Sequence, residues 1–412
     1  MPVRPVLLVV ALLFVALLTG AAHRGPPAPP VIVPARLGDT MFVTGDRVFV
    51  VSPGDELLDP PVTTKTVSAY ALPDGRLLSR STVAVFGAIY NVVEAGSVLL
   101  VSFQEQAFGA EATVALQPGT DRVLWRRPAR LLAASAADGL VLLRENSPQV
   151  GNLNWFGVDM TSGALRWTLR QPVRGFTAGA DFREGFPRTL ISATADGAVE
   201  VRETRTGVVI AAARLPVREH PVGSDVPIWP SDDLLLVGVS NGTTAYSLPA
   251  LQERWHSRAD LTGRWLQPAC GGAICSLSWE GGLWVLNPAT GVLRWADERW
   301  NYADAAGAYL LAADNADSTG VGVISVLDPA TGRVLGDFGK WQALGEPAAD
   351  GTVIAQRKKT SDNIVWYARL DPATQGVRVL GKAERVAGDC QATTDVLICR
   401  RIEATVGIWS LK

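Results

Sequence analysis

Histidine is almost missing from this chain, with three in 412 residues. The commonest general base and metal ligand is therefore scarce, and neither a metal nor a cofactor is implied. A basic surplus is missing too. Lys+Arg 38 stand against Asp+Glu 40, a net charge of −2, whereas a nucleic-acid binder carries a positive face or stripe. Lysine occurs only at Lys65, Lys340, Lys358, Lys359, Lys382 and Lys412. Long stretches of 3.6-residue periodicity are lacking, which argues against a helical solenoid. A disordered chain is excluded by 48% hydrophobic residues, since disorder needs low hydrophobicity and high net charge. In place of these stand 13 Trp, with 40 Gly and 26 Pro scattered along the chain, a composition suited to many tight turns.

Only the N-terminus holds a long apolar run. Residues 6–18 read VLLVVALLFVALL behind Arg4, and Gly20, Ala21 and Ala22 follow. That order matches a signal-peptide core with small residues where a peptidase cuts. Uncut, residues 5–22 form eighteen uncharged residues, the minimum for a membrane span. Two fates stay open: a cleaved signal or a retained anchor. The absence of a cysteine just after the run removes a bacterial lipoprotein anchor. PPAPP at 26–30 favours extended polyproline geometry, a semi-rigid spacer. The expected division is 1–22 signal peptide or anchor, 23–38 Pro-rich linker and 39–412 folded region, working outside the cytoplasm.

The folded region repeats. NPATG at 287–291 leads to Trp295, and DPATG at 328–332 is its nearest copy. DMTSG at 159–163 leads to Trp167, and QPGTD at 117–121 leads to Trp125. Weaker copies turn at Gly75, Gly207, Leu251 (before Trp255) and Gly376, so the interval is about 43 residues throughout. Each interval holds about four short apolar-alternating runs, the spacing of a β-propeller blade. In one copy these are 267–269, 273–279, 282–286 and 292–295. Within the turn, Asp or Asn bonds its own backbone, Pro fixes φ and Gly supplies a positive φ. The Trp that follows is expected to pack between neighbouring blades, its N–H on a carbonyl. Residues 39–412 hold more than eight periods: eight hairpin units plus a three-strand remnant at 385–411. The expectation is an all-β propeller of four-stranded blades, eight in number, with the excess as edge or closing strands. Val31, Ile32 and Val33 are placed to supply the remnant's missing strand, because an open ring would expose an edge.

This repeat resembles the pyrroloquinoline-quinone-like (PQQ-like) propeller repeat, with its Ala-x-Asp-x-x-Thr-Gly-x-x-x-Trp pattern, over nearly all of 39–412. The resemblance implies a ring of blades around a central channel. Its relatives include quinoprotein dehydrogenases and the non-enzymatic propeller lipoprotein of outer-membrane assembly, so it does not by itself choose a function. Alcohol-oxidising members carry two adjacent cysteines and long insertions. Here no Cys-Cys pair exists, and 209–232 is the longest candidate connection.

Candidate chemistry is sparse. GVSNG at 238–242 matches a nucleophile-elbow pattern around Ser240, but an elbow needs a helix after the strand, and Asn241-Gly242 reads as a hairpin turn. Nothing in sequence pairs His220 or His256 with Ser240. Asn241 also begins a glycosylation sequon. Asp314, Asn315 and Asp317 could gather around Ca²⁺, though a solvated loop suits their spacing better. The cysteines are more specific. Cys270 with Cys275, and Cys390 with Cys399, each flank a hairpin between the first two strands of a blade, so local pairing is expected among the three connectivities. Zinc would need four converging thiolates, yet the pairs lie nearly three repeats apart; free buried thiols are the other alternative. The reading is a non-catalytic extracytoplasmic propeller, monomeric, binding a protein or envelope component and no nucleic acid, with membrane attachment only through an uncleaved N-terminus. The alternatives are a PQQ-dependent quinoprotein oxidoreductase and a surface hydrolase.

Overall fold

The computed structural model describes residues 29–53, 62–104, 111–145, 153–172, 174–179, 185–219, 226–267, 270–278, 280–314, 322–359 and 362–412. Strands supply the regular structure there, and no α-helix occurs among the described residues. Eight antiparallel sheets form a β-propeller; seven have four strands and one has seven. The long sheet is double. Its strand Val334–Ala343 pairs backward with Gly322–Leu327, then forward through Gln342 and Ala343 onto Gln356 and Ala355. Successive blade units therefore span 40–86, 89–127, 130–170, 175–214, 228–257, 264–297, 302–341, 342–383 and 386–410, the last completed by Val31–Val33. The number of sheets is the expected eight. The surplus strands, expected as edge or closing strands, form with Val31–Val33 the four-stranded unit that closes the ring.

Burial follows from this ring. A second strand of a blade is packed on both faces, so it is a continuous apolar run whose alternate residues serve different seams. In Val98–Gln104, Leu99, Val101 and Phe103 pack towards the first blade, while Val98 and Leu100 pack towards the third. In Leu234–Val239 the same split sends Leu235, Val237 and Val239 one way and Leu234 and Leu236 the other. Nine apolar clusters result, each joining one unit to the next. Outer strands, packed less completely, alternate as Val209–Arg214 does.

The repeated turn behaves as its residues dictate. Asp328 Oδ1 accepts the Ala330 N–H at 2.8 Å, and the Thr331 hydroxyl donates to Oδ2 at 2.8 Å. Gly332 N donates to Asp328 O at 2.8 Å with φ at +72°. Glycine is required here twice over, because a Cβ on Gly332 would also overlap the Trp295 ring of the preceding blade. Trp295 Nε1 donates to Pro329 O at 3.0 Å, Trp255 Nε1 to Pro288 O at 2.7 Å and Trp125 Nε1 to Met160 O at 2.8 Å. Each repeat tryptophan thus docks on the turn of the next blade, as expected. Trp167 packs likewise on Gly207, but its buried Nε1 has no partner among the described residues.

Closure joins the two ends of the sequence. Val31–Val33 pairs antiparallel with Val406–Ser410, Val31 opposite Ile408 and Val33 opposite Val406. A stretch counted in the linker therefore supplies the fourth strand of the last blade, as its apolar triplet suggested. Val33, Val406 and Ile408 then meet Met41, Val48 and Val50 of the first blade in one cluster. Arg400 ties the same seam. Its Nη2 donates to Asp39 O, and its Nη1 to Arg36 O at 3.4 Å and Ala404 O at 3.3 Å, with Asp389 3.6 Å from Nε.

Two local readings need correction. The sixth blade's inner strand starts at Arg264, earlier than the expected 267–269, of which 268 and 269 lie outside the described residues; the chain turns at Leu261 (Arg264 N to Leu261 O, 3.2 Å) and pairing starts at once. The long connection 209–232 contains two strands, Val209–Arg214 and Ile228–Ser231. Its alanine-rich strand hides the alternation that periodicity looks for.

Candidate interaction site between the inner strands

Three inner strands converge where the ring closes. The eighth blade's inner strand reaches only two paired residues, since the chain runs straight into it from the previous outer strand and then turns away at Gly345, φ +83°. The ninth blade's inner strand, Val386–Ala392, is bulged: Gly388 faces Arg400, the next pair is Gln391 with Ile398, and Asp389 and Cys390 have no ladder partner between them. Short and irregular strands leave a gap. It is an open cavity of about 470 Å³, lined by Gln342, Ala343 and Leu344 from one side, Cys390, Gln391 and Thr393 from another, and Val43 of the first blade.

Polar chemistry in this wall is neutral. Gln342 Oε1 accepts from Gln356 Nε2 at 2.8 Å, which fixes the carboxamide and leaves its own N–H groups to donate. Thr393 Oγ1 accepts the Asp395 and Val396 N–H groups at 3.3 Å each. Leu344, Val43 and Ala343 add apolar surface. Such a wall is chemically complementary to uncharged, hydrogen-bonding groups.

The ionisable groups with altered titration serve structure elsewhere. Asp159 is held well below the usual carboxylate range by the Arg166 guanidinium and by Ser162. Hydrogen bonds from Thr331 and Thr374 lower Asp328 and Asp371. These carboxylates are fixed acceptors of repeat turns. Burial pushes the Tyr367 and Tyr246 phenols up.

Ser240 does not sit on an elbow. Leu234–Val239 and Gly242–Ser247 form a hairpin around Ser240 and Asn241, with Val239 opposite Gly242. His256 Nδ1 lies 3.1 Å from Thr244 Oγ1 within the sheet, and His220 lies outside the described residues. So do Asn315 and Asp317; Asp314 is exposed. Among the described residues no group of three or more His, Cys, Asp or Glu could hold a metal ion. Both expected cysteine pairs come within disulfide distance: Cys270 with Cys275 (Cα–Cα 5.8 Å) and Cys390 with Cys399 (4.1 Å). The apolar run 6–18 lies outside the described residues, and no helix among those described is long and apolar enough to cross a membrane. Sequence reasoning missed the cavity. The available signal was the ten-residue run 334–343, which passes from an outer to an inner strand with no connecting loop.

No protein-family model matches this sequence, and no curated protein matches it. Among solved structures the chain is similar to BamB from Moraxella catarrhalis, at 17% identity over 93% of this chain and 98% of that one, TM-score 0.42. It is similar to the computationally designed Ika8 protein, at 14% identity over 79% and 96%, TM-score 0.43. It is also similar to the C-terminal WD40 domain of Sif2, at 9% identity over 94% and 99%, TM-score 0.44. At such low identity the architecture itself is read from the strand ladders and seams above.

Proposed function

We propose that this protein is a non-catalytic scaffold of PQQ-like repeats that works outside the cytoplasm. As a monomer, it binds another protein or an envelope component at the cavity between the inner strands. Both cysteine pairs are taken as disulfides, in keeping with an oxidising compartment. The observation that carries the reading is the cavity wall of Gln342, Gln391, Thr393 and Leu344. It offers donors, acceptors and apolar contact of the kind an extended polypeptide or other uncharged ligand satisfies.

Site-specific photo-crosslinking in intact cells tests it. A photoreactive residue replacing Gln391 should trap a discrete adduct, while one replacing the exposed Leu293 on an outer strand should not. The same adduct from both positions would defeat the assignment of the site. Dye reduction by purified protein given PQQ and Ca²⁺ would defeat the non-catalytic reading.

A further inference from the structure

The two cysteine pairs differ in what surrounds them. Cys270 and Cys275 are 3% and 0% exposed and belong to the cluster of Leu277, Leu283 and Leu310. Cys399 is likewise buried, at 0%. Cys390 is half-buried and forms part of the wall of the cavity between the inner strands. It also occupies the bulge, where neither Asp389 nor Cys390 has a register partner on the next strand. Its neighbour Asp389, in the left-handed region at φ +51°, faces Arg400, whose guanidinium holds the carbonyls of Arg36 and Asp39.

We propose that Cys390–Cys399 is a thiol-exchange site, reached through the cavity by a dithiol, free or carried by a protein, and that its reduction loosens the ring closure. This rests on the disulfide reading above. Exchange needs a thiolate to approach one sulfur and expel the other. The incoming thiolate attacks Cys390 Sγ, the sulfur on the open side, and the S–S electron pair leaves on Cys399 Sγ, which takes a proton. The second thiol of the dithiol then attacks the reductant's own sulfur in the mixed disulfide and expels the Cys390 thiolate. The dithiol ends as a disulfide and the protein gains two thiols, a balanced two-electron exchange. With the covalent tie gone, nothing in the ladder fixes the bulge that sets Asp389 against Arg400. The three-residue strand that completes this blade, Val31–Val33, is then the first to open.

The test is a stepwise titration of the native full-length protein with dithiothreitol, trapped by alkylation and followed by peptide mapping and amide exchange. Cys390 and Cys399 should become alkylated at roughly 10-fold less dithiol than Cys270 and Cys275, as access governs the rate. Exchange should rise in 31–33 and 406–410 while 274–278 stays protected. Simultaneous labelling of both pairs, or earlier labelling of Cys270 and Cys275, would overturn the site. Unchanged exchange at 31–33 after reduction of Cys390 would overturn the coupling. Four thiols alkylated before any reductant is added would instead defeat the disulfide reading beneath it. A Cys390→Ser, Cys399→Ser variant should show the opened exchange pattern without reductant; should it fail to fold, the wild-type titration decides alone.

Discussion

The sixth and ninth blades each carry a cysteine pair between their first two strands, yet they are built in different ways. All four strands of the sixth come from one stretch, 264–297, and its pair spans a turn in which Gly271 and Gly272 both have positive φ. The ninth draws three strands from 386–410 and its fourth from Val31–Val33, so its last ladder joins residues more than 370 apart in sequence. A local blade forms by short loop closures; the closing blade must meet a far larger loop entropy, although that penalty grows only logarithmically. The comparison teaches that the repeat specifies blades, whereas closure depends on residues outside the repeat: Arg400, Asp389, and the Val31–Val33 triplet.

Removing residues 400–412 is the harshest way to break the comparison. Val406, Ile408 and Leu411 are buried, and at about 1.5–3 kcal/mol each their loss approaches a domain's whole net stability of about 5–15 kcal/mol. Differential scanning calorimetry should show the single unfolding transition gone. A truncated chain melting at the wild-type temperature would mean that the closing blade is dispensable. Next in size is Gly291→Ala, in the turn that seats Trp255. A positive φ of +66° and an overlap with the Trp255 ring combine, so urea unfolding should record a loss of about 2–5 kcal/mol. Gly263→Ala, with a similar φ but open space around it, should lose only about 1–2 kcal/mol. Equal losses would show that the tryptophan seat contributes nothing beyond backbone strain.

Arg400→Met keeps the bulk and removes the closure hydrogen bonds. A loss of about 2–3 kcal/mol is expected from charged bonds of this kind, with amide exchange rising at 31–33 and not at 274–278. The smallest effect belongs to the ordinary turns. Asp328 and Asp371 titrate below their unfolded value, so the stability they give is present above about pH 4 and is lost as pH falls through the folded value. Asp328→Asn should therefore lower the melting temperature slightly at neutral pH, where the ionised carboxylate contributes, and flatten the acid limb below about pH 4, where the two proteins converge. A steeper acid limb in the variant would reverse the sign and refute the assignment.

Much of this molecule is legible in its amino acids because it is local. Asp328 through Gly332 specify a turn by their own hydrogen bonds and φ preferences, and Trp295 meets the next turn because every blade repeats the same offset. The triplet Val31–Val33 was legible as a partner because a ring of strands cannot tolerate one missing edge. The cysteine neighbours were legible since five and nine residues of hairpin bring their ends together. Other features were decided only in three dimensions. One strand, Val334–Ala343, serves two blades, a choice made by packing against both seams and not by any turn residue. The cavity owes its existence to that short inner strand, to the bulge at Asp389 and Cys390, and to Val43, some 300 residues earlier. Exposure of Cys390 beside a buried Cys399 follows from the same gap, and composition carries no trace of it. Local hydrogen bonding and side-chain period act over a few residues, so sequence alone fixes blades; the seam, the cavity and the reach of Arg400 arise when distant segments compete for the same space.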